Sequence, residues 1–184
     1  AGFAYLATLE NEKYAISLFC KKLYPGEPKR GRRNLFQSIV ELDRTAPKGG
    51  TSMLAIADQL ESLLKTTSLV VLISDLLGDT DEILSSIYRL SGHELVVIQV
   101  LAKEELELAF GGDVKFVDLE SGQPLITRVT EGERQEYLRR MAEHNDRIRA
   151  ACSQVGADYF LIRADRPIFE AFSEMLSRAV VWKT

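Results

Sequence analysis

The feature that most constrains the fold is an apolar run that begins at Leu69, LVVLISD, and ends in the carboxylate of Asp75. Five of its first six residues are apolar and several are β-branched, which is typical of a strand buried on both faces of a parallel sheet. A helical pattern and then a second apolar run, ELVVIQVL from Glu94, follow it, and this order predicts a parallel crossover. Ligands of open α/β sheets bind beyond the carboxyl ends of the strands. Asp75 follows the carboxyl end of this predicted strand, so the sequence places it at the edge where such a fold binds ligands.

The remaining patterns extend this α/β prediction along the chain. We expect a three-layer domain whose mostly parallel sheet is flanked by helices, in a Rossmann-like arrangement, with a β-hairpin appended around residues 121–123. The predicted elements are a helix end within residues 1–12, a strand over Tyr14–Cys20, a short strand at Leu23 and Tyr24, a helix carrying Leu35, Phe36, Ile39, Val40 and Leu42, a helix capped by Thr51 or Ser52, a long helix over Glu133–Val155, a strand over Tyr159–Ile162 and a final helix opened by Pro167, whose core face includes Ile168 and Phe169.

The bulk properties favour a single soluble domain over residues 1–184. Net charge is −4 at pH 7, which argues against a general nucleic-acid binder. Cys20 and Cys152 lie in apolar runs without a metal-ligand partner at the usual spacing, so we expect free thiols in the core of a cytoplasmic protein. No apolar run reaches the ~20 residues that a membrane span requires.

Thr51 and Asp75 form the candidate site. Gly49 and Gly50 are a flexible turn that brings the Thr51 hydroxyl to the start of a helical run. The structural interpretation is that Thr51 caps that helix and that Asp75 is a turn acceptor or a cap for the helix after it. The functional interpretation is that both supply oxygen ligands to a magnesium ion.

Other polar residues near this stretch favour structural roles. The carboxylates of Asp79, Asp81 and Glu82 complement the positive end of the following helix. His93 and His144 have no partner at a diagnostic spacing, so we expect both at the surface. No G-x-S-x-G elbow, Walker loop or G-x-G-x-x-G fingerprint is present in the sequence.

A basic cluster follows the first predicted strand. Such clusters are usually solvated surface, and the alternative is a docking patch for a protein partner. The cluster consists of Lys21, Lys22, Lys29, Arg30, Arg32 and Arg33, and the candidate partner-binding residues are Lys29, Arg30, Arg32 and Arg33.

The order of parts resembles a von Willebrand factor A-like domain, specifically the bacterial domain of unknown function 58 family. The resemblance depends on Gly49-Gly50-Thr51, on LVVLISD with Asp75, and on the runs ELELAFGG (105–112) and FVDLESG (116–122). In von Willebrand A domains a metal-ion-dependent adhesion site combines a D-x-S-x-S motif, a threonine and an aspartate. The resemblance implies that Thr51 and Asp75 are the second and third elements, that they hold magnesium, and that the protein binds other proteins without turnover.

The chain departs from this family pattern because D-x-S-x-S occurs nowhere in it. Tyr14–Cys20 matches the family's second strand, so we expect the first strand and the missing motif upstream of Ala1, in a domain truncated at its N-terminus. Magnesium would then bind the complete protein and not bind tightly to this chain. The resemblance further implies a MoxR-type AAA+ ATPase partner, a role in assembling or maturing other proteins, and membrane association through upstream segments.

Two alternatives stay open at this stage. The first is an α/β hydrolytic or phosphotransfer enzyme in which Asp75 is nucleophile or metal ligand, Asp79 and Asp81 assist, and Lys103 supplies the cation. The second is a purely structural interaction domain without a metal.

Overall fold

A computed structural model describes residues 1–44, 52–108, 112–117 and 124–178, with the backbone alone for 112–117 and 124–129. The chain divides into two compact units, residues 1–65 and residues 66–184. The interpretation of residues 1–184 as one domain stays a prediction.

The unit of residues 1–65 is helical with one small antiparallel sheet. Its buried apolar side chains come from every helix and include Ala4, Leu35, Met53 and Ile56. The elements are α1 (Gly2–Leu9), β1 (Leu18–Phe19), β2 (Leu23–Tyr24), α2 (Arg32–Asp43) and α3 (Met53–Leu63). The predicted strand at Leu23 and Tyr24 and the predicted helices are confirmed; Ser52 is the N-cap of α3, and the alternative cap Thr51 lies outside the described residues.

The prediction of a seven-residue strand over Tyr14–Cys20 is wrong. Only Leu18–Phe19 is a strand, and it pairs antiparallel with β2 in a sheet of its own. The backbone N–H and C=O groups of Tyr14 bond to those of Lys29 at 3.0 and 2.8 Å, so residues 14–29 form an antiparallel ribbon. Pro25 and Pro28 have no N–H to donate, which limits the ladder to these few pairs.

The unit of residues 66–184 contains a parallel three-stranded sheet with the order β3-β4-β7. An antiparallel pair, β5 with β6, forms a separate hairpin, which confirms the predicted appendage. The elements are β3 (Leu69–Ser74), α4 (Thr80–Arg89), β4 (Glu94–Leu101), α5 (Lys103–Glu107), β5 (Gly112–Val117), β6 (Pro124–Val129), α6 (Glu131–Val155), β7 (Asp158–Arg163) and α7 (Ile168–Arg178). The short helix α5 is absent from the sequence-based prediction.

Among the described residues β3 pairs only with β4, and one of its faces is open, which corrects the prediction that LVVLISD is buried on both faces. Val70 and Leu72 are buried, whereas Leu69 and Ile73 on the opposite face are 37% and 52% exposed. The central strand is β4, in which Leu95 to Gln99 are all buried. An apolar run therefore predicted the strand correctly, but the layers packed on the sheet decide which faces are covered.

The long helix α6 has clear start and stop signals. The Thr130 hydroxyl accepts the Glu133 N–H at 3.3 Å and the Glu133 carboxylate accepts the Thr130 N–H at 2.8 Å, which is a capping box. Gly156 ends the helix with φ +73, a left-handed conformation that glycine adopts without strain. On α7, Ile168 and Phe169 are 76% and 78% exposed, so their assignment to the core is wrong.

Cys152 lies in the core of this unit with no exposed surface. Its prediction as a free, buried thiol is confirmed, while Cys20 is free and only partly buried. Burial raises the pKa of the Cys152 thiol from its ordinary value of 9.0 to about 12. Between these two values the unfolded chain ionises this thiol and the native chain does not, so the free energy of unfolding falls as the pH rises through this window.

We expect Cys152→Ala to remove this alkaline loss of stability. Between pH 8 and pH 10.5 the free energy of unfolding of the wild-type chain should fall by about 2 kcal/mol more than that of Cys152→Ala, because one pKa unit corresponds to about 1.4 kcal/mol. Urea unfolding followed by circular dichroism at the two pH values measures the difference. Cys20→Ala is the matched control and should retain the full loss; equal losses in wild type and Cys152→Ala would contradict the assignment.

Candidate functional site

The candidate site is the loop that follows β3, where Asp75 leaves the carboxyl end of the strand. The Asp75 side chain is exposed, and its Oδ1 accepts the Leu77 N–H at 3.2 Å. The Ser74 hydroxyl accepts the Leu76 N–H at 3.2 Å and lies 3.5 Å from the same Oδ1. This is the side-chain turn geometry typical of aspartate. The structural interpretation of Asp75 as a turn acceptor is therefore confirmed for one of its two carboxylate oxygens.

Leu76 holds the loop against the core. It is only 1% exposed and has φ +53, a left-handed conformation that is uncommon outside glycine. Its carbonyl lies 2.6 Å from Nε2 of His144, and Nδ1 of the same ring lies 2.8 Å from the Thr80 hydroxyl. Because a carbonyl can only accept, we assign the proton to Nε2, and His144 thereby ties the loop to α6 at both ends.

A buried polar network underlies the same loop. Gln99 is fully buried in β4, and its Nε2 donates to the Asp75 carbonyl at 2.9 Å and to Asn145 Oδ1 at 3.1 Å. The Tyr159 hydroxyl donates to Gln99 Oε1 at 2.5 Å. Burial raises the pKa of Tyr159 to about 12, so this hydroxyl keeps its proton at neutral pH. The hydrogen bond from Gln99 therefore holds the Asp75 backbone on the core side, whereas the Asp75 carboxylate is exposed to solvent.

The neighbouring charged groups have structural partners. Asp79 is the N-cap of α4 and accepts the Glu82 N–H at 2.9 Å, which confirms the interpretation of this carboxylate as complementing the helix. Asp81 forms an ion pair with Arg147 on α6. Lys103 begins α5 and lies 3.8 Å from Glu107.

In this loop the Ser74 hydroxyl lies 3.5 Å from Oδ1 of Asp75, and both groups are oxygen donors. Such donors suit magnesium, which prefers oxygen ligands and retains several waters. Within the described part of the chain no group of three or more His, Cys, Asp or Glu side chains could hold a metal ion. Thr51, the other predicted ligand, lies outside the described residues, so its pairing with Asp75 stays a prediction.

The candidate partner-binding residues surround the start of α2. Arg30, Arg32 and Arg33 are exposed, and the Lys29 ammonium lies 3.7 Å from the Glu41 carboxylate. Their role in partner binding stays a prediction. The sequence also offers the appended hairpin near Ser121 as a candidate docking surface, and Ser121 lies outside the described residues.

Sequence reasoning missed the residues that hold the loop. The sequence predicts His144 at the surface, but its ring bridges Leu76 and Thr80. His93 also has a structural partner, because its Nδ1 accepts the Ser68 N–H at 3.2 Å. A signal existed for Gln99, since it is the one polar residue inside the apolar run LVVIQVL and a buried amide requires partners.

This chain is therefore a mixed α/β protein with a parallel sheet. An acidic loop at the carboxyl edge of that sheet is held in place by contacts with the core. Residues 1–147 match the family described as Protein of unknown function DUF58, and the chain belongs to that family. This confirms the family part of the resemblance noted in the sequence.

The chain is also similar to curated proteins and to solved structures. The chain is 30% identical over 122 residues to Uncharacterized protein Rv1480 of Mycobacterium tuberculosis and to Uncharacterized protein Mb1516 of Mycobacterium bovis. These matches cover 66% of this chain, which spans 38% of the length of each relative. A crystal structure of conserved hypothetical protein BatB from Bacteroides thetaiotaomicron matches with a TM-score of 0.51 and 13% identity over 96% of this chain and 83% of that one, which shows a shared fold.

A second solved structure is an aerotolerance-related membrane protein from Bacteroides fragilis with multiple mutations to serines. It matches with a TM-score of 0.49 and 17% identity over 92% of this chain and 80% of that one. Among the described residues, no helix combines the length and the apolar character needed to cross a bilayer.

Proposed function

We propose that this DUF58 chain is a non-enzymatic protein-interaction module of von Willebrand A type. In this proposal it works with a MoxR-type AAA+ ATPase in the assembly or maturation of other proteins. The complete protein holds a magnesium ion, to which Asp75 contributes a carboxylate oxygen and Thr51 a hydroxyl. An acidic residue of the partner would complete the coordination of that ion.

The observation that supports the proposal most directly is the anchored loop after β3. Gln99 and His144 fix the carbonyls of Asp75 and Leu76, yet the Asp75 carboxylate is exposed. A binding site benefits from this arrangement, because a group held in one geometry loses little conformational freedom when its partner arrives. The same arrangement is expected for a metal ligand at the carboxyl edge of a parallel sheet.

The contacts of the other charged groups favour binding over turnover. An aspartyl nucleophile needs a nearby cation and assisting carboxylates. Lys103 is engaged with Glu107, Asp79 caps a helix and Asp81 pairs with Arg147. These partners support the non-enzymatic proposal over the phosphotransfer alternative.

The test is to measure binding of the purified complete gene product to the MoxR-type ATPase of the same organism, with magnesium and with EDTA. We expect EDTA and Asp75→Asn each to weaken binding at least tenfold, because one lost charged ligand costs more than about 1.4 kcal/mol. Calorimetric titration of magnesium alone reports the metal site separately.

Asp79→Asn is the matched control, since asparagine caps a helix as well as aspartate does and the same charge is lost nearby. It should leave both magnesium binding and ATPase binding unchanged. If Asp75→Asn and Asp79→Asn behave alike, or if EDTA has no effect, the magnesium-dependent site is wrong.

A further inference from the structure

A cavity of about 310 Å³ is lined by the ribbon of residues 14–29 and by α2, wholly within the unit of residues 1–65. Ile16 and Leu18 of the ribbon and Leu42 of α2 contribute apolar lining, and all three are half-buried. The volume is at the lower end of the range for small-ligand pockets, about 300 to 1,000 Å³. The cavity therefore has room for one long side chain or a molecule of similar size.

A hydroxyl group lines this cavity without a protein partner. Ser38 is only 6% exposed, yet among the residues that the structure describes its hydroxyl takes part in no hydrogen bond. The serines of α4 differ, because Ser85 and Ser86 each donate to the carbonyl four positions earlier. Polar groups in largely buried positions are normally hydrogen-bonded, so the Ser38 hydroxyl indicates that the cavity receives a polar ligand.

Three charged side chains line the cavity and leave one excess negative charge. Glu27 on the ribbon is exposed, and its carboxylate has no partner within the described part of the chain. The Glu41 carboxylate on α2 lies 3.7 Å from the Lys29 ammonium, so this lysine neutralises one of the two carboxylates. Because a carboxylate stands on each wall, the cavity favours a cation between them.

The other basic residues of this unit do not change that charge. Among its described lysines, Lys29 alone lines the cavity. Arg30 follows Lys29 in an extended segment, where successive side chains lie on opposite faces. A helix turns by about 100° per residue, so the other charged residues of α2 and its C-cap lie more than about 100° from its cavity-lining face. These residues are Arg32, Arg33, Asp43 and Arg44.

We propose that this cavity is a pocket for an arginine side chain of a partner protein, with the guanidinium between Glu27 and Glu41. This rests on the proposed role as a protein-interaction module and names the chemistry of the residue that the module receives. Arginine fits better than lysine, because its planar guanidinium carries five donors for the carboxylates and the Ser38 hydroxyl and is more weakly hydrated than an ammonium. Its aliphatic stem packs against the apolar lining.

The test is a titration of the purified chain, in EDTA, with the acetylated and amidated peptide Gly-Arg-Gly, followed by two-dimensional amide NMR. We expect saturable shifts of the Lys29 and Ser38 amides with a Kd of about 1 mM, as suits a contact made by one side chain. The same peptide with lysine should bind about threefold more weakly. With norleucine, which has no charge, it should give no saturable shift.

Two variants at this cavity should change binding of the arginine peptide in opposite directions. Glu27→Gln should weaken it about fivefold, because the unpaired carboxylate is lost, whereas Lys29→Gln should strengthen it about threefold, because a competing cation is lost. Ser38→Ala should weaken it about threefold without lowering stability, since the hydroxyl has no described partner to lose. Asp43→Asn is the matched control: it removes a carboxylate from another face of α2 and should leave binding unchanged.

Equal binding of the norleucine peptide, equal effects of Glu27→Gln and Asp43→Asn, or weaker binding in Lys29→Gln would each overturn the proposal. Agmatine, a free alkyl guanidine, distinguishes the source of the ligand. If agmatine binds at least tenfold more tightly than the peptide, the pocket serves a small molecule and the assignment to a partner's arginine is wrong. EDTA keeps this assay independent of magnesium, so its failure is distinguishable from failure of the Asp75 site.

Discussion

Gly26→Ala is expected to lower the free energy of unfolding of the ribbon of residues 14–29 by about 3 kcal/mol, the upper part of the range for overpacking. A Cβ atom on Gly26 would lie 2.1 Å from the Ile16 carbonyl oxygen and 2.8 Å from its carbon. These are backbone atoms, which no rotamer change can move aside. The ribbon must open there, and the Gly26 N–H would lose its bond to the Ser17 hydroxyl.

Amide hydrogen exchange provides the measurement. The amides of Tyr14 and Lys29 bond across the ribbon, so their exchange should accelerate about a hundredfold, which corresponds to nearly 3 kcal/mol of local stability. Gly92→Ala is the control, because a Cβ atom on Gly92 would meet nothing within 4 Å and the change should leave exchange in the ribbon unaltered. Unchanged exchange at Tyr14 and Lys29 in Gly26→Ala would contradict the close approach.

Gln99→Leu is expected to destabilise the unit of residues 66–184 by about 3 kcal/mol, since it removes the hydrogen-bond partner of one buried and two partly buried polar groups at about 1 to 3 kcal/mol each. The groups affected are the Asp75 carbonyl, Asn145 Oδ1 and the Tyr159 hydroxyl. Leucine has a similar volume, so packing contributes little to the loss. Urea unfolding followed by circular dichroism measures it.

A double-mutant cycle distinguishes a shared network from general damage to the core. Asn145→Leu removes one partner of Gln99, so the two substitutions together should cost about 1 kcal/mol less than the sum of the single changes. Exchange of the Leu77 amide, which bonds to the Asp75 carboxylate, should accelerate in Gln99→Leu. Additive energies and an unchanged Leu77 amide would show that the network does not support the loop.

Long periodic elements were predictable because local signals determine them. The helix α6 begins at the capping pair Thr130 and Glu133 and ends at Gly156, and these contacts involve residues close in sequence. The strands β3, β4 and β7 follow from short apolar runs for the same reason. The strand over Tyr14–Cys20 failed because pairing depends on the return segment, where Gly26 and the prolines limit the ladder.

Burial was harder to predict than secondary structure. The residues LVVLISD fit a strand covered on both faces, yet Ile73 is half exposed, because the segments packed on each face of the sheet decide burial. Phe36 and Phe169 are apolar and helical, but the packing of distant segments decides whether such side chains are covered. At the candidate site, Asp75 was found from its position after a strand, whereas His144 could not be assigned because its partners lie 64 and 68 residues away.

The strand order has a consequence for how the chain folds during synthesis. β3 and β4 pair across a short interval, but Val96 of β4 pairs with Asp158 of β7, which follows 62 residues later. At about 5 to 20 residues per second, one edge of β4 stays open for roughly 3 to 12 s while the hairpin and α6 are made. Such a non-local closure slows folding, and during this interval the apolar centre of the sheet is most accessible to chaperones and to mispairing.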